Sequence, residues 1–206
     1  MSNWIQAGLP LAQAGKALIL LHGRGATAES ILALAPFLNL DDFALFAPQA
    51  PQRTWYPFGF MASDQGNLSS LNSSIQQVSL LFEFLVKEGI KPEQIYLLGF
   101  SQGACLSLEF AALQAQKLGG VVAFTGGLIG EKLQEEKYSG DFQGTPIHIS
   151  GSAQDMHVPA KRMNDSAQLL QRMGAAVSLT FFEDDMHTIR PEELAKVNQT
   201  IFCKVS

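Results

Sequence analysis

The sequence predicts an α/β fold with a mostly parallel central sheet and helices on both of its faces. Short, mostly apolar runs alternate along the chain with longer segments of helical periodicity, and turn residues separate the two. Such runs are typical of strands buried on both faces, as in parallel sheets. Repeated strand–helix units imply right-handed crossovers, which place helices on both sides of an open sheet.

Six segments have the length and composition of buried strands. Each has four to six residues, most of them apolar, and each is bounded by polar or turn-forming residues. The predicted strands are Ala17–Leu21, Phe43–Ala47, Ile95–Phe100, Val121–Phe124, Ile147–Ser150 and Val177–Phe182.

Five segments have helical patterns. The clearest has apolar residues every three or four positions from Ile75 to Leu85, and Gly89 follows its end. Pro191 marks the start of another, because proline is favoured in the first helical turn. The predicted helices are Ala28–Leu38, Ile75–Lys87, Gln102–Lys117, Ala160–Met173 and Pro191–Ile201.

The region from Pro48 to Asn72 shows no such pattern. It is rich in proline, serine, glycine and aromatic residues, and it is the longest irregular stretch of the chain. Long irregular segments inside compact domains are usually functional. Since no linker or internal repeat divides the sequence, we expect one domain over residues 1–206.

Charge and composition argue against several kinds of partner. The 206 residues carry a formal net charge of -5, 47% are apolar, 16% are charged, and no basic cluster occurs. Such a chain is not expected to bind nucleic acid or an anionic membrane. No secretory signal is apparent, and the apolar run Ala17–Leu21 is too short to span a bilayer. We expect a cytoplasmic protein without stable membrane insertion, and a homodimer is one option for its assembly.

The two cysteines, Cys105 and Cys203, lie far apart in the sequence and in no metal-ligand spacing. Cys105 falls in a predicted helix, where a buried free thiol is the expected state. The sequence therefore predicts no metal ion and no other cofactor.

The segment Gly99-Phe-Ser-Gln-Gly103 lies between a predicted strand and a predicted helix. This order is typical of a nucleophile elbow, in which the central residue is strained and its neighbours two positions away must be small. Gly99 and Gly103 meet that requirement. We therefore expect Ser101 at the tip of the turn, beside a helix N-terminus that favours negative charge.

A serine hydroxyl needs a general base, and the base needs an acid that orients it. After such an elbow the acid and the histidine follow in chain order. His187 follows the last predicted strand and Asp155 follows the strand before it, so both are expected beside Ser101 at the carboxyl edge of the sheet. His22 lies upstream of the serine, and His148 lies inside a strand. The sequence therefore predicts Ser101, Asp155 and His187 as a catalytic triad.

Other assignments stay open at this point. His157 is the alternative base, although it shares the loop of Asp155. Asp184 or Asp185 is the alternative acid, and their charge also favours the protonated form of a nearby histidine. Asp155 itself fits a second role, as a turn residue or as the cap of the helix that follows Pro159.

Two backbone N–H groups are placed to stabilise an oxyanion. One is that of Gln102, the residue after the nucleophile. The other comes from the loop Leu20-Leu-His-Gly-Arg-Gly-Ala26, where Gly23 and Gly25 allow the backbone to direct the N–H of Arg24 inward. The sequence therefore predicts Arg24 and Gln102 as the oxyanion hole.

Six segments spread in order over nearly the whole chain have a recognisable combination of residues. They are Leu21-His-Gly-Arg-Gly, Ala47-Pro-Gln-Ala-Pro, Trp55-Tyr-Pro-Phe-Gly-Phe60, Gly99-Phe-Ser-Gln-Gly, Thr125-Gly-Gly-Leu and Gly151-Ser-Ala-Gln-Asp-Met-His-Val-Pro. Together they resemble the phospholipase/carboxylesterase family of α/β-hydrolases, which includes acyl-protein thioesterases and small bacterial carboxylesterases. The resemblance implies an α/β-hydrolase fold without a large cap domain, and it implies the same triad and oxyanion donors.

One segment departs from the family pattern. Members usually have Gly-Met shortly before the catalytic histidine, whereas this chain has Asp184-Asp185-Met186. Loss of the glycine removes backbone freedom, although aspartate tolerates a left-handed conformation better than most residues. The departure therefore concerns the shape of the loop before His187 and the pH optimum, more than the assignment of His187.

The irregular region supplies candidates for an apolar substrate pocket, and Leu128 with Ile129 is expected opposite them. The aromatic residues of this region are as often found in a hydrophobic core as in a pocket, so about half of them are expected in the core. The candidate substrate-binding residues are Trp55, Tyr56, Phe58, Phe60 and Leu128.

The expected activity is that of a serine carboxylesterase acting on a small-molecule ester. Without a large cap the site should be shallow, which favours short- to medium-chain acyl groups. An acyl-protein thioesterase or lysophospholipase-type hydrolase is the alternative enzyme. A catalytically silent hydrolase fold that binds a ligand is the alternative outside enzymes.

Overall fold

Seven strands form one sheet in the computed structural model, which describes residues 4–203. In chain order the strands are β1 (Trp4–Gly8), β2 (Lys16–Leu21), β3 (Phe43–Pro48), β4 (Ile95–Phe100), β5 (Gly120–Phe124), β6 (Pro146–Ser152) and β7 (Ala176–Phe182). Their order across the sheet is β1-β3-β2-β4-β5-β6-β7. β1 pairs antiparallel with β3, and the other pairings are parallel.

Helices cover both faces of this sheet. They are α1 (Ala28–Leu32), α2 (Asp64–Lys87), α3 (Gln102–Leu113), α4 (Ala160–Arg172) and α5 (Pro191–Thr200). Alternate residues of β2 enter two separate cores, because side chains of a strand point to opposite faces. Ala17, Ile19 and Leu21 pack in the core with α2, α3 and α4, whereas Leu18 and Leu20 pack in the core with α1 and α5. The prediction of a mostly parallel sheet with helices on both faces is confirmed.

All six predicted strands are present, and their bounds differ from the predicted ones by at most two residues. β1 was not predicted. Its sequence Trp-Ile-Gln-Ala-Gly is not wholly apolar, and it lies at the sheet edge where its residues are only partly buried. Edge strands lack the signal of a strand buried on both faces.

The expectation of an irregular region over Pro48–Asn72 is partly wrong, because α2 already begins at Asp64. The first half of α2 is rich in serine, asparagine and glycine, which are poor helix formers. Tertiary contacts hold it instead: the Asn67 side chain accepts a hydrogen bond from the N–H of Phe58 (3.0 Å) and donates one to the carbonyl of Gly59 (2.9 Å). This end of α2 therefore supports the loop that precedes it.

Two predicted helices are too long. α1 ends at Leu32 and is followed by a 3-10 turn at Ala35–Phe37, because Pro36 has no N–H with which to continue the α-helical hydrogen bonds. α3 ends at Leu113 rather than at Lys117. Beyond α3 the chain is held by a different contact, since the N–H of Leu118 donates to Thr145 Oγ1 at 2.8 Å.

The carboxyl ends of the parallel strands are not covered by an inserted cap within residues 4–203, as predicted. None of the helices in this part of the chain combines the length and apolarity that a membrane span requires.

His148 on β6 is a buried imidazole whose protonation opposes folding. Its Nδ1 lies 2.9 Å from Ser178 Oγ, and its Nε2 has no hydrogen-bond partner among the described residues. Burial lowers the pKa of His148 from 6.5 to about 4. Between these two pH values the unfolded chain therefore binds a proton that the folded chain does not.

We expect acidification from pH 6.5 to pH 4 to remove about 3 kcal/mol of unfolding free energy through this group, and no effect of it above pH 6.5. In His148→Asn that contribution should be absent, so the pH dependence of unfolding should be shallower. Urea titrations of both proteins at pH 4, 5, 6 and 8 measure the difference. Parallel pH curves would contradict the burial of a neutral ring.

Candidate active site

Ser101 occupies the turn between β4 and α3. Its backbone has φ 53° and ψ -116°, a conformation that non-glycine residues rarely adopt. The N–H of Ser101 donates to the carbonyl of Phe124 (2.9 Å), and its carbonyl accepts from the N–H of Cys105 (3.0 Å). The strained residue is thus held by β5 on one side and α3 on the other, and such a conformation persists only where the surrounding structure fixes it.

The two glycines around the serine are required by close backbone packing. A Cβ atom at Gly99 would lie 2.2 Å from the carbonyl oxygen of Gly103. A Cβ atom at Gly103 would lie 2.0 Å from the carbonyl oxygen of Leu21 at the end of β2. Both distances are far below van der Waals contact, so the elbow can form only with glycine at both positions.

His187 contacts both Ser101 and Asp155. Its Nε2 lies 2.7 Å from Ser101 Oγ, and its Nδ1 lies 2.7 Å from Asp155 Oδ2. Because an ionised carboxylate only accepts hydrogen bonds, Nδ1 carries the proton and donates it to Asp155. Nε2 is then the acceptor for the serine hydroxyl, which is the tautomer that a general base needs.

Asp155 is buried, with a side chain that is 0% exposed. Its Oδ1 accepts hydrogen bonds from the N–H groups of His157 (2.7 Å) and Val158 (2.8 Å), and its Oδ2 faces His187. Burial alone raises the pKa of Asp155, but the hydrogen bonds from His187 and these two N–H groups outweigh burial, so its pKa lies below its usual value. The carboxylate stays charged and can orient the imidazole.

Two aromatic rings flank the His187 imidazole. The Phe100 ring lies 5.2 Å away between centroids, and the His157 ring lies 5.0 Å away at an interplanar angle of 73°. The His157 ring therefore packs against the His187 ring, and within residues 4–203 it is not hydrogen-bonded to Ser101 or Asp155. Asp184 and Asp185 are not hydrogen-bonded to the His187 ring among the described contacts.

Both ring nitrogens of His22 are hydrogen-bonded to the backbone. Its Nδ1 donates to the carbonyl of Gly23 (2.7 Å), and its Nε2 accepts from the N–H of Ala50 (3.1 Å). The Trp55 ring lies 5.0 Å from it, and burial lowers the pKa of His22. A neutral, doubly hydrogen-bonded ring of this kind joins the ends of β2 and β3.

The side chains of Arg24 and Gln102 hold the loop of the aromatic residues. Arg24 donates to the carbonyls of Pro57 (2.7 Å) and Phe58 (2.6 Å). The Gln102 amide donates to the carbonyl of Tyr56 (2.7 Å) and accepts from the N–H of Trp55 (2.9 Å). The backbone N–H groups of Arg24 and Gln102 are a separate matter: within residues 4–203 neither has a hydrogen-bond acceptor.

An open cavity of about 290 Å³ leads to the serine. Of the candidate substrate-binding residues, Tyr56 and Phe60 line it. Trp55 and Leu128 instead lie in the core, at 1% and 0% exposure, because Trp55 Nε1 donates to the carbonyl of His22 and the N–H of Leu128 donates to Ser166. Phe58 is 56% exposed and outside the lining. The lining residues are Arg24, Tyr56, Gly59, Phe60, Ser101, Gln102, Cys105, His157, Val158 and His187.

Cys105 lies in this wall, but it is not an alternative nucleophile. Burial raises the pKa of its thiol to about 12, so the reactive thiolate does not form near neutral pH. Within residues 4–203, no three histidine, cysteine, aspartate or glutamate side chains are grouped as metal ligands.

Comparisons with known proteins assign the family. The phospholipase/carboxylesterase family model matches residues 9–204. The chain belongs to the phospholipase/carboxylesterase family. A crystal structure of a phospholipase/carboxylesterase from Dyadobacter fermentans DSM 18053 is 45% identical, with a TM-score of 0.97 over 98% of this chain and 97% of that one. This likeness confirms the predicted α/β-hydrolase fold.

Curated relatives in the phospholipase/carboxylesterase family are more distant. Acyl-protein thioesterase 1 of Saccharomyces cerevisiae is 28% identical over 93% of this chain and 94% of its own length. A probable carboxylesterase of Oryza sativa subsp. japonica is 26% identical over 88% of this chain and 74% of its own length. Membership of this family confirms the prediction that the protein is a carboxylic ester hydrolase.

The close packing at the elbow generates a prediction. In Gly103→Ala the added methyl group meets backbone rather than a movable side chain, so we expect a loss of about 3 kcal/mol or more in unfolding free energy. Urea denaturation measures it. Gly15→Ala is the matched control, since a Cβ atom at Gly15 has no neighbour within 4 Å. Equal stability of the two variants would refute the packing argument.

Proposed function

We propose that the protein is a serine carboxylesterase that forms an acyl-enzyme through Ser101, His187 and Asp155. The observation that supports it most is the continuous chain of two 2.7 Å contacts from the serine hydroxyl through the imidazole to a buried carboxylate. This arrangement supplies a nucleophile, a base in the correct tautomer and a group that orients the base.

In the proposed reaction Ser101 Oγ attacks the ester carbonyl while its proton moves to His187 Nε2. The resulting imidazolium is stabilised by the charge of Asp155 and then protonates the leaving alcohol. A water molecule, deprotonated by the same imidazole, attacks the acyl-enzyme, and the carboxylic acid leaves as Ser101 regains its proton.

The oxyanion formed in both steps needs donors at the end of the site nearest the elbow. The backbone N–H groups of Arg24 and Gln102 are proposed for this role because neither has an acceptor within residues 4–203. The hydrogen bonds of their side chains to the Trp55–Phe58 loop hold these amides in place before substrate arrives. Such a donor typically contributes about 10²- to 10³-fold in rate.

The size of the cavity supports short- to medium-chain acyl esters as substrates. Its volume of about 290 Å³ is at the lower limit of typical small-ligand pockets. Tyr56, Phe60 and Val158 give it apolar walls, while Arg24 and His157 make its opening polar. A small ester with an apolar acyl group matches this distribution.

The proposal predicts that Ser101→Ala reduces hydrolysis of a chromogenic acyl ester by about 10⁴- to 10⁶-fold and abolishes covalent labelling by a fluorophosphonate. His187→Ala should lower turnover to a similar extent, since it removes the base. His157→Ala, which removes the alternative base, should cost about tenfold at most. Turnover that survives in Ser101→Ala, or a larger loss in His157→Ala than in His187→Ala, would refute the assignment.

An acyl-protein thioesterase is the second candidate, and the similarity to the Saccharomyces cerevisiae enzyme of that name favours it. The open cavity, without a cap among the described residues, would admit an acyl group attached to a peptide. We expect kcat/KM for a simple acyl ester to exceed that for an S-acylated peptide with the same acyl chain. A reversed preference would make the thioesterase the better description.

A further inference from the structure

The loop between β7 and α5 carries His187, and the Asp184 side chain makes three hydrogen bonds within and beyond this loop. Asp184 Oδ1 lies 2.7 Å from Ser152 Oγ, 3.0 Å from the N–H of Met186 and 2.5 Å from an Arg190 Nη2 that donates to it. The backbone carbonyl of Asp184 accepts a further hydrogen bond from the N–H of Gln154 at 3.1 Å. One residue therefore joins the loop of the base to the loop of the acid, because Gln154 directly precedes Asp155.

Arg190 completes this network from the start of α5. Its Nη2 also donates to Ser152 Oγ (2.7 Å) and to the carbonyl of Met186 (3.2 Å). Its Nη1 lies 3.4 Å from Glu193 Oε2, and Glu193 Oε1 accepts from Ser150 Oγ at 2.5 Å. Since Arg190 is only 9% exposed and Glu193 1% exposed, these charges are paired within the protein rather than in solvent.

The network also explains the departure from the family pattern before the histidine. The resemblance had suggested that aspartate replaces a glycine here and reduces backbone freedom. Neither Asp184 nor Asp185 has a positive φ, so the loop adopts a shape that ordinary residues accept. The carboxylate of Asp184 instead fixes the loop through side-chain contacts, and these contacts hold its pKa below the usual value, chiefly through Ser152 and the N–H of Met186.

We propose that Asp184 and Arg190 are positioning residues that hold the His187 imidazole within hydrogen-bond reach of Ser101. The inference rests on the proposed function, because it concerns the base of that reaction. Neither residue touches the cavity, so each acts through the loop that ends at Met186 and His187. Displacement of a catalytic group by about 1 Å can cost about 100-fold in rate even when substrate binding is unchanged.

The loop offers a matched control in the neighbouring residue. Asp185 has the same charge and lies closer to His187 in the sequence, but it is exposed and makes no hydrogen bond or ion pair with the described residues. An effect of charge on the imidazole would follow from loss of either carboxylate. An effect of the hydrogen-bond network would follow from loss of Asp184 alone.

The experiment compares kcat and KM of the wild type with those of Asp184→Ala, Asp184→Asn and Asp185→Ala on one chromogenic ester. We expect Asp184→Ala to lower kcat by about 10- to 100-fold with KM changed by about twofold at most. Asp184→Asn, which keeps an acceptor oxygen but no charge, should recover part of that loss. Asp185→Ala should retain kcat within about twofold.

Proton NMR provides a second measurement, because it reports the hydrogen bond of the His187 imidazole itself. The Nδ1 proton that His187 donates to Asp155 should give a low-field proton NMR signal in the wild type and in Asp185→Ala, and it should be broadened or lost in Asp184→Ala. If Asp184→Ala does not fold, Ser152→Ala removes another member of the network and should show the same loss of kcat and of the signal.

Either of two outcomes would overturn the inference. Unchanged kcat in a folded Asp184→Ala would show that the contacts do not position the base, and an equal loss in Asp185→Ala would assign the effect to charge. Failure of the proposed function looks different, since wild-type protein itself would then show neither turnover nor a fluorophosphonate adduct.

Discussion

The contact between His187 Nε2 and Ser101 Oγ is the interaction on which the site depends, and the fold supplies it indirectly. Ser101 follows β4, Asp155 follows β6 and His187 follows β7, so the three loops leave the same edge of one parallel sheet. Ser101, Asp155 and His187 all lie beyond the ends of their strands, in the connecting segments. The strands instead fix where each loop starts, and the local hydrogen bonds of each loop decide whether its side chain reaches the others.

The residues proposed for the site could be recognised in the sequence because each carries a steric or topological signature. Gly99 and Gly103 are required by backbone atoms at 2.2 and 2.0 Å from the missing Cβ positions, and that requirement is visible as spacing in the sequence. The order of serine, acid and histidine follows from the order of parallel strands. The sequence left His157 open as an alternative to His187, and the geometry favours His187, because among the described residues only its ring is hydrogen-bonded to Asp155.

What could not be predicted depends on contacts between distant segments. The first half of α2 has weak helical propensity and forms because Asn67 pairs with the loop at Phe58 and Gly59. Trp55 directly precedes Tyr56, which lines the cavity, yet the Trp55 ring is buried in the core and its indole N–H donates to the carbonyl of His22. The role suggested for Arg190 has only a faint sequence signal, a charged residue directly before the proline that starts α5.

Asp155 and Asp184 show how similar carboxylates acquire different tasks at one edge of a sheet. Both accept backbone N–H bonds from their own loops, and both have a lowered pKa. Asp155 uses one oxygen for its loop and keeps the other for the His187 ring. Asp184 instead uses a single oxygen, Oδ1, for its contacts with Ser152, Met186 and Arg190. The partners differ accordingly, because the buried Arg190 guanidinium pairs with Asp184, whereas Asp155 faces the His187 ring and two backbone N–H groups.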